Sequence, residues 1–131
     1  MIDFFDYIVD RTKDFTGREW VFAEIDRWLA DEDGVKYFLL TGEPGSGKTA
    51  IAARLAQFSL GVVQPSKNCL QISSGFLAAD HFCQARRADT AGPLEFTRNI
   101  SRQLCAIDDF AKHLLDDSTV DLSNSVTTPH A

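Results

Sequence analysis

Apolar side chains change rhythm several times along the chain, and each change predicts an element. Ile2, Phe5, Ile8 and Val9 fall at near-helical spacing, which predicts a short leading helix within residues 2–10. Thr16 and Glu19 stand three apart, the spacing of a capping box in which each side chain serves a backbone N–H of the other. A helix is expected to follow as far as Ala30, with Val21, Ile25, Trp28 and Leu29 on its buried face and Asp31 to Gly34 ending it. From Val35 to Thr41 the aromatic and aliphatic residues run on without helical spacing or alternation. That pattern predicts a β-strand covered on both faces.

Residues 48–60 return to helical spacing, with Ile51, Leu55 and Phe58 facing inward and Gly61 as the stop signal. The composition from Val62 to Asn68 is that of a loop, and Cys69 to Ser73 leaves a short strand open. Gly75 to Cys83 is the next expected strand. Pro93 sits at a natural first helical position, and Phe96, Ile100, Leu104 and Ile107 define a third amphipathic helix. A last helical piece is expected over Asp109 to Leu115. From Ser118 onward, "STVDLSNSVTTPHA" has no periodicity and is expected to be a disordered tail. The expected organisation is a leading helix or linker over 1–13, one domain over 14–117 and the tail over 118–131.

Composition narrows the function classes. Apolar residues at 44% and charged residues at 24% are ordinary for a globular chain of 131 residues. A net charge of −6 with no basic face argues against a nucleic-acid partner. No apolar stretch approaches the roughly 18 residues of a membrane span, and "MIDFFDYIVD" lacks the basic start of a signal peptide. Cys69, Cys83 and Cys105 are odd in number and widely spaced, which fits reduced thiols in the cytoplasm. His81 and Cys83 would share one face of a strand, but no second ligand pair completes a zinc tetrahedron.

Between the expected strand and helix lies "TGEPGSGKTA", where three glycines and a proline interrupt two well-formed elements. Gly42-Glu43-Pro44-Gly45-Ser46-Gly47-Lys48-Thr49 matches G-x-x-x-x-G-K-[ST], the Walker A or P-loop pattern. Glycines let the backbone curl into a nest of N–H groups around a phosphate, and the following helix adds the positive end of its dipole. In that pattern Lys48 reaches the terminal phosphates and the Thr49 hydroxyl holds Mg²⁺, with Ala50 beginning the helix against the nucleotide. The strand–loop–helix order predicts an α/β fold, a partial parallel sheet flanked by helices, with a nucleotide such as ATP or ADP and Mg²⁺ as ligands.

Four stretches together carry a narrower likeness: "FTGREW", "FLLTGEPGSGKTAIAARLAQF", "FLAADHFCQ" and "GPLEFTRNISRQLCA". The chain resembles the STAND class of signalling NTPases, its NACHT-type members most closely, over roughly residues 14–107. The resemblance implies that Gly17 and Arg18 lie near the nucleotide base and that His81-Phe82-Cys83 ends a second strand. It also implies that nucleotide state controls oligomerisation, so the implied partners are further copies of the chain or a C-terminal sensor region.

Hydrolysis in that class uses a second motif, an apolar strand ending in Asp, which orients the metal and its water. Only Phe76-Leu77-Ala78-Ala79-Asp80 has that form, and the resemblance assigns it to a different strand. Asp80 is therefore a candidate for a magnesium-side carboxylate by its form alone. The chain reads as the front of an NTPase domain that stops before the Walker B strand, a binder of nucleotide without turnover of its own. Two other functions stay open, a small P-loop kinase using Asp80 and a non-catalytic interaction module.

Overall fold

The computed structural model describes residues 2–84 and 86–116, so the expected tail lies outside the described residues. The chain divides into two compact units, one from Phe5 to Leu77 and one joining the residues up to Phe4 to the chain from Ala78 onward.

The first unit holds α1 (Phe5–Thr12), α2 (Glu19–Ala30) and α3 (Lys48–Leu60). In α3 the side chains bury on two sides. Ile51 and Phe58 meet Val21, Phe22 and Ile25 of α2, with Cys69 and Ile72 closing the core from the following loop. The Phe22 and Phe58 rings meet edge to face at 5.2 Å. On the other side Ala53 and Ala56 are fully buried, and their small side chains let α1 approach closely. Gln57, one turn beyond Ala53, donates to the Thr12 hydroxyl over 2.9 Å. The helix ends as expected at Gly61, whose φ of 79° permits the left-handed cap, with Val62 N–H reaching back to the Gln57 carbonyl over 3.2 Å.

Asp26 of α2 fastens the loop after α3. One of its carboxylate oxygens accepts from the backbone N–H groups of Gln71 (2.7 Å) and Ile72 (3.0 Å). This holds Ile72 in the core, and residues 69–73 bend irregularly instead of forming a strand.

The second unit contains α4 (Ala88–Ala91), α5 (Pro93–Cys105) and α6 (Asp108–Asp116). Pro93 opens α5, where its missing N–H costs nothing. The buried centre of this unit is polar. Asn99 is 1% exposed, while Phe96, expected to face inward, is 49% exposed. The Asn99 amide oxygen accepts from Ile2 N–H (3.0 Å), and its amide nitrogen lies 2.9 Å from His81 Nδ1. That nitrogen donates, so Nδ1 accepts and Nε2 carries the proton given to the Thr90 carbonyl at 2.8 Å. The Phe4 and Phe96 rings each meet the His81 ring edge to face.

The fold departs from the α/β expectation. The described residues contain helices and no strand, so there is no parallel sheet and the chain is not an α/β P-loop fold. Val35 to Thr41 has no regular structure, with a bend at Lys36, and the Trp28 side chain donates to the Val35 carbonyl over 2.8 Å. Phe38 and Leu40 turn toward Trp28 and the core, whereas Val35, Tyr37 and Leu39 are 75%, 86% and 85% exposed. A strand exists only through a ladder, and no backbone–backbone hydrogen bond reaches residues 35–41 among the described residues. Gly75 to Cys83 is likewise irregular: Phe76 N–H closes a turn on Ser73, and Leu77 N–H is taken by the Ser59 hydroxyl. An uninterrupted apolar run records burial on two faces or exposure on one equally well, and here it is the second.

The capping box is also replaced. Gly17 and Arg18 both adopt left-handed backbone, with φ of 79° and 63°, so α2 starts at Glu19 with Arg18 as its N-cap and no side-chain cap.

Candidate functional site

The loop from Gly42 to Gly47 runs directly into α3. Gly45 and Gly47 have φ of 83° and 93°, values that a side chain disfavours, and Ser46 N–H closes a turn on the Glu43 carbonyl over 3.1 Å. At Gly42 a Cβ would sit 2.6 Å from the Ser46 hydroxyl, so both the curl and its closeness require glycine. Gly47 caps α3 without a side-chain hydrogen bond, and the first turn contains no acidic residue. The dipole end of a thirteen-residue helix therefore faces the loop with no acidic side chain in the helix's own first turn.

Lys48 folds back over the loop. Its ammonium donates to the Gly42 carbonyl, to the Glu43 carbonyl at 3.0 Å and to the Ser46 hydroxyl at 3.4 Å. Three donors meet three acceptors, and the cation sits where the loop closes on itself. Thr49 and Pro44 are exposed, and Ala50 is half-buried.

Arg18 reaches this loop from 28 positions away. Its guanidinium donates to the Ser46 carbonyl over 2.8 Å, and the same nitrogen lies 3.5 Å from where a Cβ on Gly47 would stand. The Gly17–Arg18 turn and the glycine loop thus form one place. Beside it opens a cavity of about 480 Å³ between the end of α1, the Gly17–Arg18 turn and the first turn of α3. Phe15, Thr16, Arg18, Gly47 and Ala50 line it, with Asp10, Asp14, Arg11 and Lys13 at its charged edge. Its size lies within the range of small-molecule sites, roughly 300–1,000 Å³. The Arg54 guanidinium holds Phe15 from behind, 5.0 Å from the ring centre.

A family model described as Nephrocystin 3, N-terminal, matches residues 17–130, from the Gly17 turn through the loop and well beyond Asp80. The chain belongs to the nephrocystin 3 N-terminal family. No curated protein and no solved structure matches it. No helix among the described residues is long and apolar enough to cross a membrane.

In this nephrocystin 3 N-terminal chain, Asp80 belongs to the unit of α4–α6 and the glycine loop to the unit of α1–α3. The main chain of Asp80 is fixed by Gln103, which accepts from its N–H at 3.0 Å and donates to its carbonyl at 2.7 Å. Burial pushes the Asp80 carboxyl above the ordinary carboxylate range, and the neighbouring His81 offsets part of that rise. No group of three His, Cys, Asp or Glu side chains among the described residues is placed to hold a metal ion. Thr49, the hydroxyl position of the P-loop pattern, is exposed at the start of α3.

Sequence reasoning missed Asp10, Lys13, Asp14 and Phe15 of the cavity wall. They precede the Gly17 turn without any motif, and only the packing of α1 on α3 brings them to the loop.

Proposed function

We propose that this chain binds an adenine nucleotide, ATP or ADP with Mg²⁺, on the Gly42–Ala50 loop at the start of α3. The observation that carries the reading is the meeting of Arg18 with Ser46 beside a cavity of nucleotide scale. The motif marks the phosphate loop, and the resemblance to NACHT-type proteins separately marks Gly17 and Arg18 as a base-side pair. Their joining is what a single ligand spanning both would use.

In this reading Lys48 exchanges its bonds to Gly42, Glu43 and Ser46 for phosphate oxygens. The N–H groups at the start of α3 face the same anion, and Thr49 holds the metal, which spreads the phosphate charge. Arg18, Phe15 and Thr16 border the base side. The role resembles that of NACHT-type STAND signalling proteins, with nucleotide acting as a state marker and further copies of the chain as partners. The loop positions phosphate, but the apolar strand ending in Asp that holds the metal and its water in the NTPase class has no counterpart beside it, so binding occurs without appreciable turnover.

Equilibrium binding of ATP and ADP, with and without Mg²⁺, tests the reading. At a ligand concentration a hundredfold above Kd, binding adds about 2.7 kcal/mol to stability, visible as a rise in Tm. A folded sample with no such rise at millimolar nucleotide rejects it.

A further inference from the structure

The glycine loop is not the only place where the chain offers cations to an anion. We propose that the cavity flanked by Arg98 and Arg102 on α5 binds a phosphate-type oxyanion, independently of the nucleotide reading.

Arg98 and Arg102 are four residues apart on α5 and therefore lie on one face of the helix. Both line a cavity of about 220 Å³, together with Asn99, Ile2, Asp89 and Glu95. Neither forms an ion pair among the described residues. The Nε of Arg98 is fully buried and finds no acceptor there. A buried N–H of a cation without an acceptor is among the least favourable arrangements a side chain adopts.

The two carboxylates at the cavity do not answer that need. Asp89 is committed to Arg87, which donates to it from Nε at 3.1 Å and from a terminal nitrogen at 2.7 Å, and this pairing holds its carboxyl below the ordinary range. Glu95 folds back toward Gly92 at the start of α5, where the helix dipole favours its charge. Arg98 and Arg102 thus face a cavity whose two carboxylates are engaged elsewhere, Asp89 by Arg87 and Glu95 at the start of α5.

A planar guanidinium offers its donors in a fork matched to the oxygens of phosphate or carboxylate. Two forks on one face suit a tetrahedral anion with several acceptor oxygens. A volume of about 220 Å³ is several times the roughly 30 Å³ share of one water, and below the usual span of drug-sized sites. It admits a phosphate group with some water, and no nucleoside. The ligand is therefore free phosphate or the terminal group of a phosphate monoester.

The test uses the full chain at constant ionic strength, titrated with inorganic phosphate, phenyl phosphate and, as control, chloride. The reporter is the Arg98 Nε–Hε NMR resonance, assigned through Arg98→Lys. Saturable movement with phosphate or phenyl phosphate, and none with chloride, is expected. Arg102→Gln, at an exposed position that tolerates change, should weaken binding roughly tenfold, as loss of a charge-assisted bond implies. Lys48→Ala should leave it unchanged. Saturation by inorganic phosphate alone identifies the free ion as ligand; comparable or tighter binding of phenyl phosphate identifies a monoester terminus. The proposal fails if neither saturates by tens of millimolar, if Arg102→Gln binds as wild type does, or if Lys48→Ala abolishes the effect.

Discussion

Arg18 donates to the Ser46 carbonyl over 2.8 Å while holding a left-handed backbone, the only non-glycine residue with positive φ among the described residues. The conformation costs an L-residue about 1–2 kcal/mol, and the guanidinium contact is what that cost secures. Arg18→Gly and Arg18→Ala should both weaken nucleotide binding. Only Arg18→Gly should relieve the backbone, leaving it about 1 kcal/mol more stable than Arg18→Ala in urea unfolding. Equal stabilities would mean that the turn carries no strain.

Asp26 should prove a structural residue of the first unit. It is the shared acceptor for Gln71 and Ile72 N–H, and Ile72 is fully buried. Asp26→Ala should cost about 2 kcal/mol or more, since two donors lose a charged partner. Asp26→Asn keeps an acceptor oxygen and should cost less. Denaturant midpoints of the three proteins check the order.

These relationships mark what was legible in the sequence. Helix spacing and the signals at Gly61 and Pro93 located α2, α3 and α5 closely, because local periodicity and caps dictate them. The glycine loop ahead of α3 was legible for the same reason. The strands were not: pairing is decided by partners elsewhere, and the backbone of residues 35–41 finds no backbone partner among the described residues. Asn99 as the centre of the second unit was hidden too, since a polar residue on an apolar-spaced helix reads as surface. Only the donors and acceptors of Ile2, Asp80 and His81 reveal why it is buried. The Arg18–Ser46 joint left no periodic trace at all.

Asp80 should make stability depend on pH. Its carboxyl is raised by burial in the folded chain, so the folded state holds that proton more tightly than the unfolded one. The associated stability is present in acid and is lost as pH rises through the raised value. Asp80→Asn should therefore melt higher than wild type at pH 7, with the difference vanishing below about pH 4. The bonds from Gln103 and Asn99 are to the Asp80 main chain and survive the change. A difference that is constant with pH would show that the carboxyl is not perturbed.

The exposed side of residues 35–41 should govern self-association. Tyr37 and Leu39 stand out as large apolar side chains on a segment with no backbone–backbone hydrogen bond among the described residues, a surface that can recruit another chain. The double variant Tyr37→Lys, Leu39→Lys should sediment as a monomer at concentrations where wild type associates. Unchanged association in the variant would direct attention to another surface.

The most direct measurement for the account as a whole is the affinity of wild type and Lys48→Ala for ATP with Mg²⁺, by calorimetry at fixed salt. Lys48 is the only side-chain cation within the Gly42–Thr49 motif, and its bonds close that loop on itself. The account predicts saturable binding by wild type, weakened at least tenfold in Lys48→Ala, consistent with loss of a charged hydrogen bond. Equal binding by both proteins, or none by wild type in a folded sample, would contradict it.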